Sequence, residues 1–167
     1  MMPLTQTIAT DLRNSPLVPP AVELSDAVEI DTRFGRFTYS RAKIITMRQG
    51  VLGFSGYREF VLLTLPDPRF AQFRLLQCVS EPALSFLVIP NQPAHCGIDP
   101  ADMSEAFTAC GVSGADAAFL LIVTIRKSEG KVGMTVNMRA PIVLDLRRKV
   151  AQQYVLANSR YSIRHHL

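Results

Sequence analysis

The sequence predicts a mainly β protein: a single domain folded as a partly closed β-barrel or a two-sheet sandwich of about ten mostly antiparallel strands. Three observations predict it. Short apolar or alternating runs recur along the chain, turn residues separate them at short intervals, and a single stretch, about 99–110, has the apolar spacing of a helix. The chain has 167 residues, of which 48% are hydrophobic, so one domain can bury a substantial core.

Residues 1–27 contain no periodic apolar pattern. Pro3, Pro16, Pro19 and Pro20 each limit helix formation or sheet pairing in this stretch. We therefore expect 1–27 to be a disordered N-terminal extension and 28–167 to form the folded domain.

The first strand begins at Val28. Val28, Ile30 and Thr32 alternate with charged residues, which is the pattern of a half-buried strand. The turn residues of 34–36 then lead into a short return strand at 37–39, so the two runs predict a β-hairpin.

Eight further runs predict strands. The run at 117–126 is almost continuously apolar, as expected for a strand that is buried on both faces, whereas 49–57 contains three glycines and predicts a loop. The predicted strands are 43–47, 59–65, 73–79, 84–89, 117–126, 132–138, 141–146 and 150–156.

One helix is predicted after Asp99. The Asp99 side chain can cap the first turn, Pro100 suits the first helical position, and Gly111 is placed to end the helix. Four apolar residues lie between these signals at the spacing of one helical face: Met103, Ala106, Phe107 and Cys110.

The net charge is +4, and it is unevenly distributed. Residues 126–167 contain nine basic residues and two acidic residues, a balance of +7. A basic patch of this kind can attract an acidic protein surface or RNA, or can simply keep the surface soluble. A β-rich RNA-binding regulator that uses this basic quarter is therefore an alternative function.

Catalytic and metal-binding patterns are not apparent. The cysteines, Cys78, Cys96 and Cys110, show no CxxC spacing, and His95-Cys96 together with Cys110 or His165 fits no common zinc pattern. Glycine-rich phosphate-binding motifs and a nucleophile elbow are also missing. We predict a binding protein without cofactor or metal, and not an enzyme.

A cytoplasmic location is expected. The first ten residues carry no Lys or Arg and no long apolar run, unlike a secretory signal. The longest apolar run, 117–123, is far shorter than the roughly 20 residues of a membrane span, so no membrane association is expected.

Five segments of 31–167 resemble the FliW family of bacterial flagellar assembly factors in order and spacing. They include Gly50, Gly53 and Phe54 of the loop, Phe86 in the strand before a proline, and Ala140-Pro141. The segments are GVLGF (50–54), LQCV (76–79), FLVIP (86–90), TVNMRAPIVL (135–144) and YSIRHHL (161–167).

The resemblance implies a small β-barrel-like protein that acts as a monomer without a cofactor. Its implied partners are flagellin, held in the cytoplasm before export, and CsrA, an RNA-binding repressor of flagellin translation. Competition between the two partners would couple flagellin synthesis to export, with no direct contact to nucleic acid.

Four residues of these segments are candidate partner contacts: Gln77, Asn137, Tyr161 and Arg164. Each also has a structural interpretation. Gln77 lies among apolar residues as a hydrogen-bonded core residue would, and Asn137 can satisfy backbone groups at a corner. Arg164 either tethers the C-terminal segment or faces a partner, and both interpretations remain open at the level of sequence.

Overall fold

The computed structural model describes residues 26–91 and 97–167, so 1–25 of the predicted extension, together with His95 and Cys96, lie outside the described residues. These residues form the strands β1 (Ala27–Thr32), β2 (Gly35–Ser40), β3 (Ile45–Met47), β4 (Glu59–Thr64), β5 (Arg74–Cys78), β6 (Ser85–Pro90), β7 (Ala117–Ser128), β8 (Lys131–Val136), β9 (Ile142–Asp145), β10 (Val150–Gln153) and β11 (His165–His166), and the helix α1 (Pro100–Cys110).

Seven strands close into a ring in the order β3, β4, β5, β6, β7, β9, β10 and back to β3. Every pairing in the ring is antiparallel except that of β10 with β3, where Ala151 lies opposite Met47. β8 and β11 extend outwards from β7, and β1 and β2 form a separate hairpin. The mainly β fold is confirmed, and the barrel is a closed ring.

The strands of the ring separate two apolar clusters. One fills the barrel interior and draws residues from all seven strands: Ile45, Met47, Phe60, Leu76, Val88, Leu120, Ile142, Leu144 and Ala151. The other covers the outer face of β4 to β7 and β9, where α1, the β1–β2 hairpin and the C-terminal segment pack. Strands such as β5 are therefore apolar at successive positions because both of their faces are buried.

β7 changes its environment along its length. It is buried on both faces only as far as Val123, and Thr124 to Ser128 are exposed. The expectation of burial along the whole of 117–126 was therefore wrong for its last residues. The reason is that recorded pairing with β6 ends at Ile122, beyond which β7 pairs with β8 alone.

Two other predictions need correction. The predicted strand 43–47 begins later, at Ile45, because Arg41–Lys43 form a 3-10 turn capped by the hydroxyl of Ser40. The short strand β11 was not predicted; its two residues, His165 and His166, pair with Val136 and Thr135 of β8.

The predicted helix and its signals are confirmed. The Asp99 carboxylate accepts a hydrogen bond from the Ala101 N–H at 2.9 Å. Gly111 ends α1 with a left-handed φ of 67°, a conformation that glycine adopts without a steric penalty. All four residues of the predicted apolar stripe are buried or half-buried against the outer cluster.

Gly50 begins the loop that joins β3 to β4. Its φ of 69° lies in the left-handed region. A Cβ atom at this position would lie 2.6 Å from the Phe54 carbonyl oxygen, 2.8 Å from the Ser55 Cα and 2.9 Å from the Tyr57 carbonyl oxygen. Glycine is therefore required here for two reasons: the left-handed backbone angle and the close approach of neighbouring backbone atoms.

Replacing Gly50 with alanine should lower the free energy of unfolding by about 2 kcal/mol or more, because strain and backbone overlap add. Urea unfolding followed by circular dichroism measures this. Gly56→Ala is the matched control, since a Cβ at Gly56 meets nothing within 4 Å. Equal stability of the two variants would contradict the proposed constraint.

Candidate partner-binding site

Tyr161 anchors the C-terminal segment to the start of α1. Its buried hydroxyl donates a hydrogen bond to Asp102 Oδ2 at 2.5 Å and accepts one from the Asp99 N–H at 2.9 Å. The Arg160 guanidinium adds a third contact to the hydroxyl at 3.1 Å, and the Asn158 amide donates to the Asp102 carboxylate at 3.2 Å. The segment is thus tethered by Tyr161, whereas the tether considered for Arg164 is not made by its side chain among the described residues.

Charge reinforces this anchor. The pKa of Asp99 lies below its ordinary value of 3.8, first because the carboxylate accepts the Ala101 N–H and second because Arg160 donates to it. The same contacts, to Tyr161 and to Asp99, raise the pKa of Arg160. Two acids at the N-terminal end of α1 and one arginine of the C-terminal segment therefore hold the two elements together.

Asn137 shapes the corner between β8 and β9. Its side-chain oxygen accepts hydrogen bonds from the N–H groups of Arg139 and Ala140, each at 3.0 Å. Ala140 and Pro141 are buried in the corner, where Pro141 restricts the backbone. The structural interpretation of Asn137 agrees with this geometry.

The corner also supports the C-terminal segment. The Arg139 guanidinium donates to the Leu156 carbonyl at 2.7 Å, and the Met138 N–H donates to the Ser162 carbonyl at 3.0 Å. Further along, the Leu167 N–H donates to the Met134 carbonyl at 3.1 Å. Residues 156–167 are therefore held at several points along their length.

A patch of exposed side chains follows the anchor, and we call it the C-terminal surface: Ile163, Arg164, His165 and Leu167. Ile163 is 61% exposed and Leu167 is 44% exposed. Among the described residues the Arg164 guanidinium has no hydrogen-bond or ion-pair partner, although its backbone N–H donates to Ser162 Oγ. Exposed apolar side chains beside a free arginine, on an immobilised backbone, are characteristic of protein-binding surfaces.

Gln77 has a different position from the other candidates. It is fully buried, and its side-chain nitrogen donates to the carbonyls of Cys78 and Leu84 at 3.0 Å and of Pro82 at 3.1 Å. These bonds fix the turn between β5 and β6. Of the four residues predicted as partner contacts, Arg164 alone is exposed. A direct partner contact by any of the four stays a prediction.

The glycine loop joins the same framework through a residue that the sequence did not reveal. Gln153 accepts a hydrogen bond from the Leu52 N–H at 2.8 Å and donates one to the Ala140 carbonyl at 3.0 Å. It therefore links the loop to the β8–β9 corner. Phe54 packs edge-on against Phe86 with ring centroids 5.3 Å apart, which attaches the loop to β6.

The basic residues do not form one patch. Arg126, Lys127 and Lys131 lie at the β7–β8 turn, whereas Arg147 and Arg148 lie between β9 and β10, at the opposite end of β7. The stretch of β7 from Ala117, which pairs with Asp145, to Arg126 spans about 30 Å, since each strand residue adds about 3.3 Å. Arg147 and Arg148 are moreover paired with Asp116 at 3.5 Å and Asp145 at 3.9 Å.

Within 26–91 and 97–167, His, Cys, Asp and Glu form no group of three or more that could hold a metal ion. Burial raises the pKa of the Cys110 thiol, although the nearby Arg48 opposes this shift. A thiol with a raised pKa is a weak nucleophile at neutral pH. α1, the α-helix of the described part, is too short and too polar to cross a membrane.

Comparison with known proteins identifies the family. The model of the FliW protein family matches residues 29–167, which include the whole ring and the C-terminal surface. The chain belongs to the FliW family. Its function is therefore that of a flagellar assembly factor, as the resemblance of the five segments implied.

Relatives across distant bacteria support membership in the FliW family. The flagellar assembly factor FliW of Geobacter sulfurreducens is 38% identical over 80% of this chain and 82% of its own length. Its counterpart in Leptospira interrogans is 26% identical over 82% of this chain and 91% of its own. A crystal structure of the flagellar assembly factor FliW superimposes with a TM-score of 0.64 at 28% identity, covering 83% of this chain and 96% of the other.

Replacing Tyr161 with phenylalanine should lower the free energy of unfolding by about 1.5–3 kcal/mol, because the Asp99 N–H and the Asp102 carboxylate lose a shared partner. Urea unfolding measures the loss. Tyr39→Phe is the matched control: Tyr39 is similarly buried, and its hydroxyl makes no hydrogen bond among the described residues. A loss as small as that of the control would show that the anchor does not stabilise the fold.

Stability should also depend on Asp99 in acid. Because folding lowers the pKa of Asp99, its contribution is present above the ordinary value of 3.8 and is lost as the pH falls through the lower folded value. Asp99→Asn keeps a cap for α1 but cannot titrate. Thermal melts from about pH 5 down to about pH 2.5 should therefore show a smaller loss for the variant than for the parent chain.

The other carboxyls remain titratable in this variant, so only part of the acid sensitivity should disappear. Glu129→Gln is the control, since Glu129 lies exposed in the β7–β8 turn. An acid dependence unchanged by Asp99→Asn would contradict the assignment.

Proposed function

We propose that this chain binds flagellin in the cytoplasm and antagonises the translational repressor CsrA, both by direct protein–protein binding. Membership of the FliW family supports a role in flagellar assembly. The observation that carries the proposal is the C-terminal surface, where Ile163, Arg164 and Leu167 are exposed on a backbone fixed by Tyr161.

In this proposal Arg164 contacts the partner directly, and its neighbours Ile163 and Leu167 supply apolar area. Tyr161 and Asn137 act as positioning residues, because their hydrogen bonds hold the segment and the adjoining corner. A surface that is already ordered loses little conformational entropy on binding, which favours affinity.

The regulatory effect follows from mass action. While flagellin is abundant it occupies the chain, and CsrA is left free to repress translation. Once flagellin has been exported, the vacant chain binds CsrA and removes it from the message. This scheme needs two binding equilibria that exclude each other and no covalent step.

The RNA-binding alternative finds less support in the structure. It requires a continuous basic face, whereas Arg126, Lys127 and Lys131 lie at one end of β7 and Arg147 and Arg148 lie at the other. RNA binding through phosphates would also fall steeply with added salt. Salt-sensitive binding to RNA, without binding to flagellin, would favour the alternative.

Changing the apolar and basic character of the C-terminal surface should weaken binding to flagellin. The double variant Ile163→Asp with Arg164→Glu removes apolar area and inverts a charge, so we expect at least a tenfold loss of affinity, about 1.4 kcal/mol. Isothermal titration calorimetry with purified flagellin of the same organism measures it. Arg41→Glu is the control, because Arg41 is also exposed but lies in the turn after β2.

Unchanged affinity of the double variant would place the flagellin contact elsewhere. The competition is tested by adding CsrA to the preformed flagellin complex. Size-exclusion chromatography then shows whether flagellin is released or CsrA stays outside the complex. Simultaneous binding of both proteins would overturn the competition, and failure to bind CsrA alone would overturn the antagonism.

A further inference from the structure

β6 and β7 separate before either strand ends. Their recorded pairing stops at Val88 opposite Ile122, yet β6 begins at Ser85 and β7 continues to Ser128. On their far sides both strands remain paired, β6 with β5 and β7 with β8. We call the opening bounded by 85–87 and 123–127 the β6–β7 fork.

The backbone groups of the fork face into it. The Asn137 N–H donates to the Ile122 carbonyl at 2.9 Å. Because backbone groups alternate in direction along an antiparallel strand, the even-numbered residues of β7 direct their N–H and C=O groups towards β8. Ile125 and Lys127 therefore point their N–H and C=O groups towards the fork. The Cys78 N–H donates to the Leu84 carbonyl, so the even-numbered residues of β6 direct their backbone groups towards β5. Ser85 therefore directs its N–H and C=O groups towards the fork.

Apolar side chains line the fork on its outer side. A groove of about 200 Å³ is bounded by Phe34, Leu65, Pro66, Phe70, Leu87 and Ile125. It continues into a second cavity of about 360 Å³ that reaches Ser85, Phe86 and Thr124. Phe34, Phe70 and Ile125 are each about 40% exposed, an unusual concentration of apolar surface beside a free strand edge.

Two buried oxygen atoms near the start of β6 lack hydrogen-bond partners among the described residues: Ser85 Oγ, whose residue lines the fork, and Gln77 Oε1, on β5. The two residues lie opposite each other on β6 and β5. Buried polar atoms are nearly always paired in folded proteins. The free capacity of Ser85 Oγ therefore adds to that of the backbone groups of Ile125 and Lys127.

The charge around the fork is positive. Arg126, Lys127 and Lys131 lie on the β7–β8 arm, and Arg33 lies above the Phe34 ring on the other side, against a single acid of the arm, Glu129. Asp67, at the far end of the groove, is already paired with Arg69. A second copy of this chain would bring two basic arms together, whereas an acidic occupant would be attracted.

We propose that the β6–β7 fork binds an extended acidic segment of a partner protein by β-strand addition to the edge of β7. Backbone hydrogen bonds to Ile125 and Lys127 supply the register, and alternate apolar side chains of the segment enter the groove at Phe34 and Phe70. The inference gives a mode of recognition to the binding activity proposed above, and rests on that proposal for the identity of its biological partner.

The test uses a short fluorescein-labelled peptide that alternates valine with glutamate, measured by fluorescence anisotropy at low and moderate salt. We expect saturable binding that weakens with added salt. A version N-methylated on alternate residues, which lacks the backbone donors of one edge, should bind about tenfold more weakly, and a version with lysine for glutamate should not bind.

Variants of the chain locate the binding. Ile125→Pro removes the N–H that faces the fork and leaves the bonds of β7 to β8 in place, so peptide affinity should fall about tenfold. Ile125→Val is the matched control and should bind normally. Thermal melts check folding, and if Ile125→Pro does not fold, the N-methylated peptide still tests the backbone contact.

Equal binding of the N-methylated peptide, or no binding of the acidic peptide, would overturn the proposal. So would a concentration-dependent dimer that Ile125→Pro abolishes, because the occupant would then be a second copy. The synthetic peptide makes this test separate from flagellin binding. If the chain binds flagellin but not the peptide, the proposal for the β6–β7 fork fails and the proposal of flagellin binding stands.

Discussion

Closure of the barrel depends on a short parallel contact between β3 and β10. The Thr46 N–H donates to the Lys149 carbonyl and the Arg48 N–H donates to the Ala151 carbonyl, both at 2.9 Å. These bonds convert an open sheet into a ring that has no free edge at this seam. Once the ring is closed, its interior holds one apolar cluster and its outer face can carry a second.

The outer cluster explains how the C-terminal surface is held in place although it lies on a short segment. The C-terminal segment contributes Leu156 and Tyr161 to that cluster, so its exposed residues stand on buried neighbours. The Tyr161 hydroxyl adds directional contacts to this packing, since it bonds both the Asp99 N–H and the Asp102 carboxylate at the start of α1. Burial of apolar side chains stabilises the packing of the segment, and the hydrogen bonds fix its geometry.

Features with a local cause were predictable from the sequence. The helix was marked by Asp99, Pro100 and Gly111, and the loop by its glycines, because caps and left-handed angles act within a few residues. Partnerships over long separations were not predictable. The contact of Asp102 with Tyr161 is an example, since nothing near Asp102 in sequence indicates a partner 59 positions away.

The exposure of the last part of β7 was not predictable from the sequence for a related reason. Apolar residues such as Ile125 indicate burial when the chain is considered by itself, but burial depends on whether a neighbouring strand is present. The departure of β6 at Val88 is a property of the topology. Gln77 illustrates the converse case: its polar side chain is fully buried because the turn after β5 offers carbonyls to its amide.

The seam between β3 and β10 also governs when the molecule can fold. Its two sides are far apart in the chain; nearby, the bond between Leu52 and Gln153 spans 101 positions. Folds dominated by such distant contacts form slowly, and a ribosome delivers the C-terminal partner last. The ring can therefore close only after β10 has been synthesised, and the C-terminal surface, which follows β10 along the chain, forms no earlier.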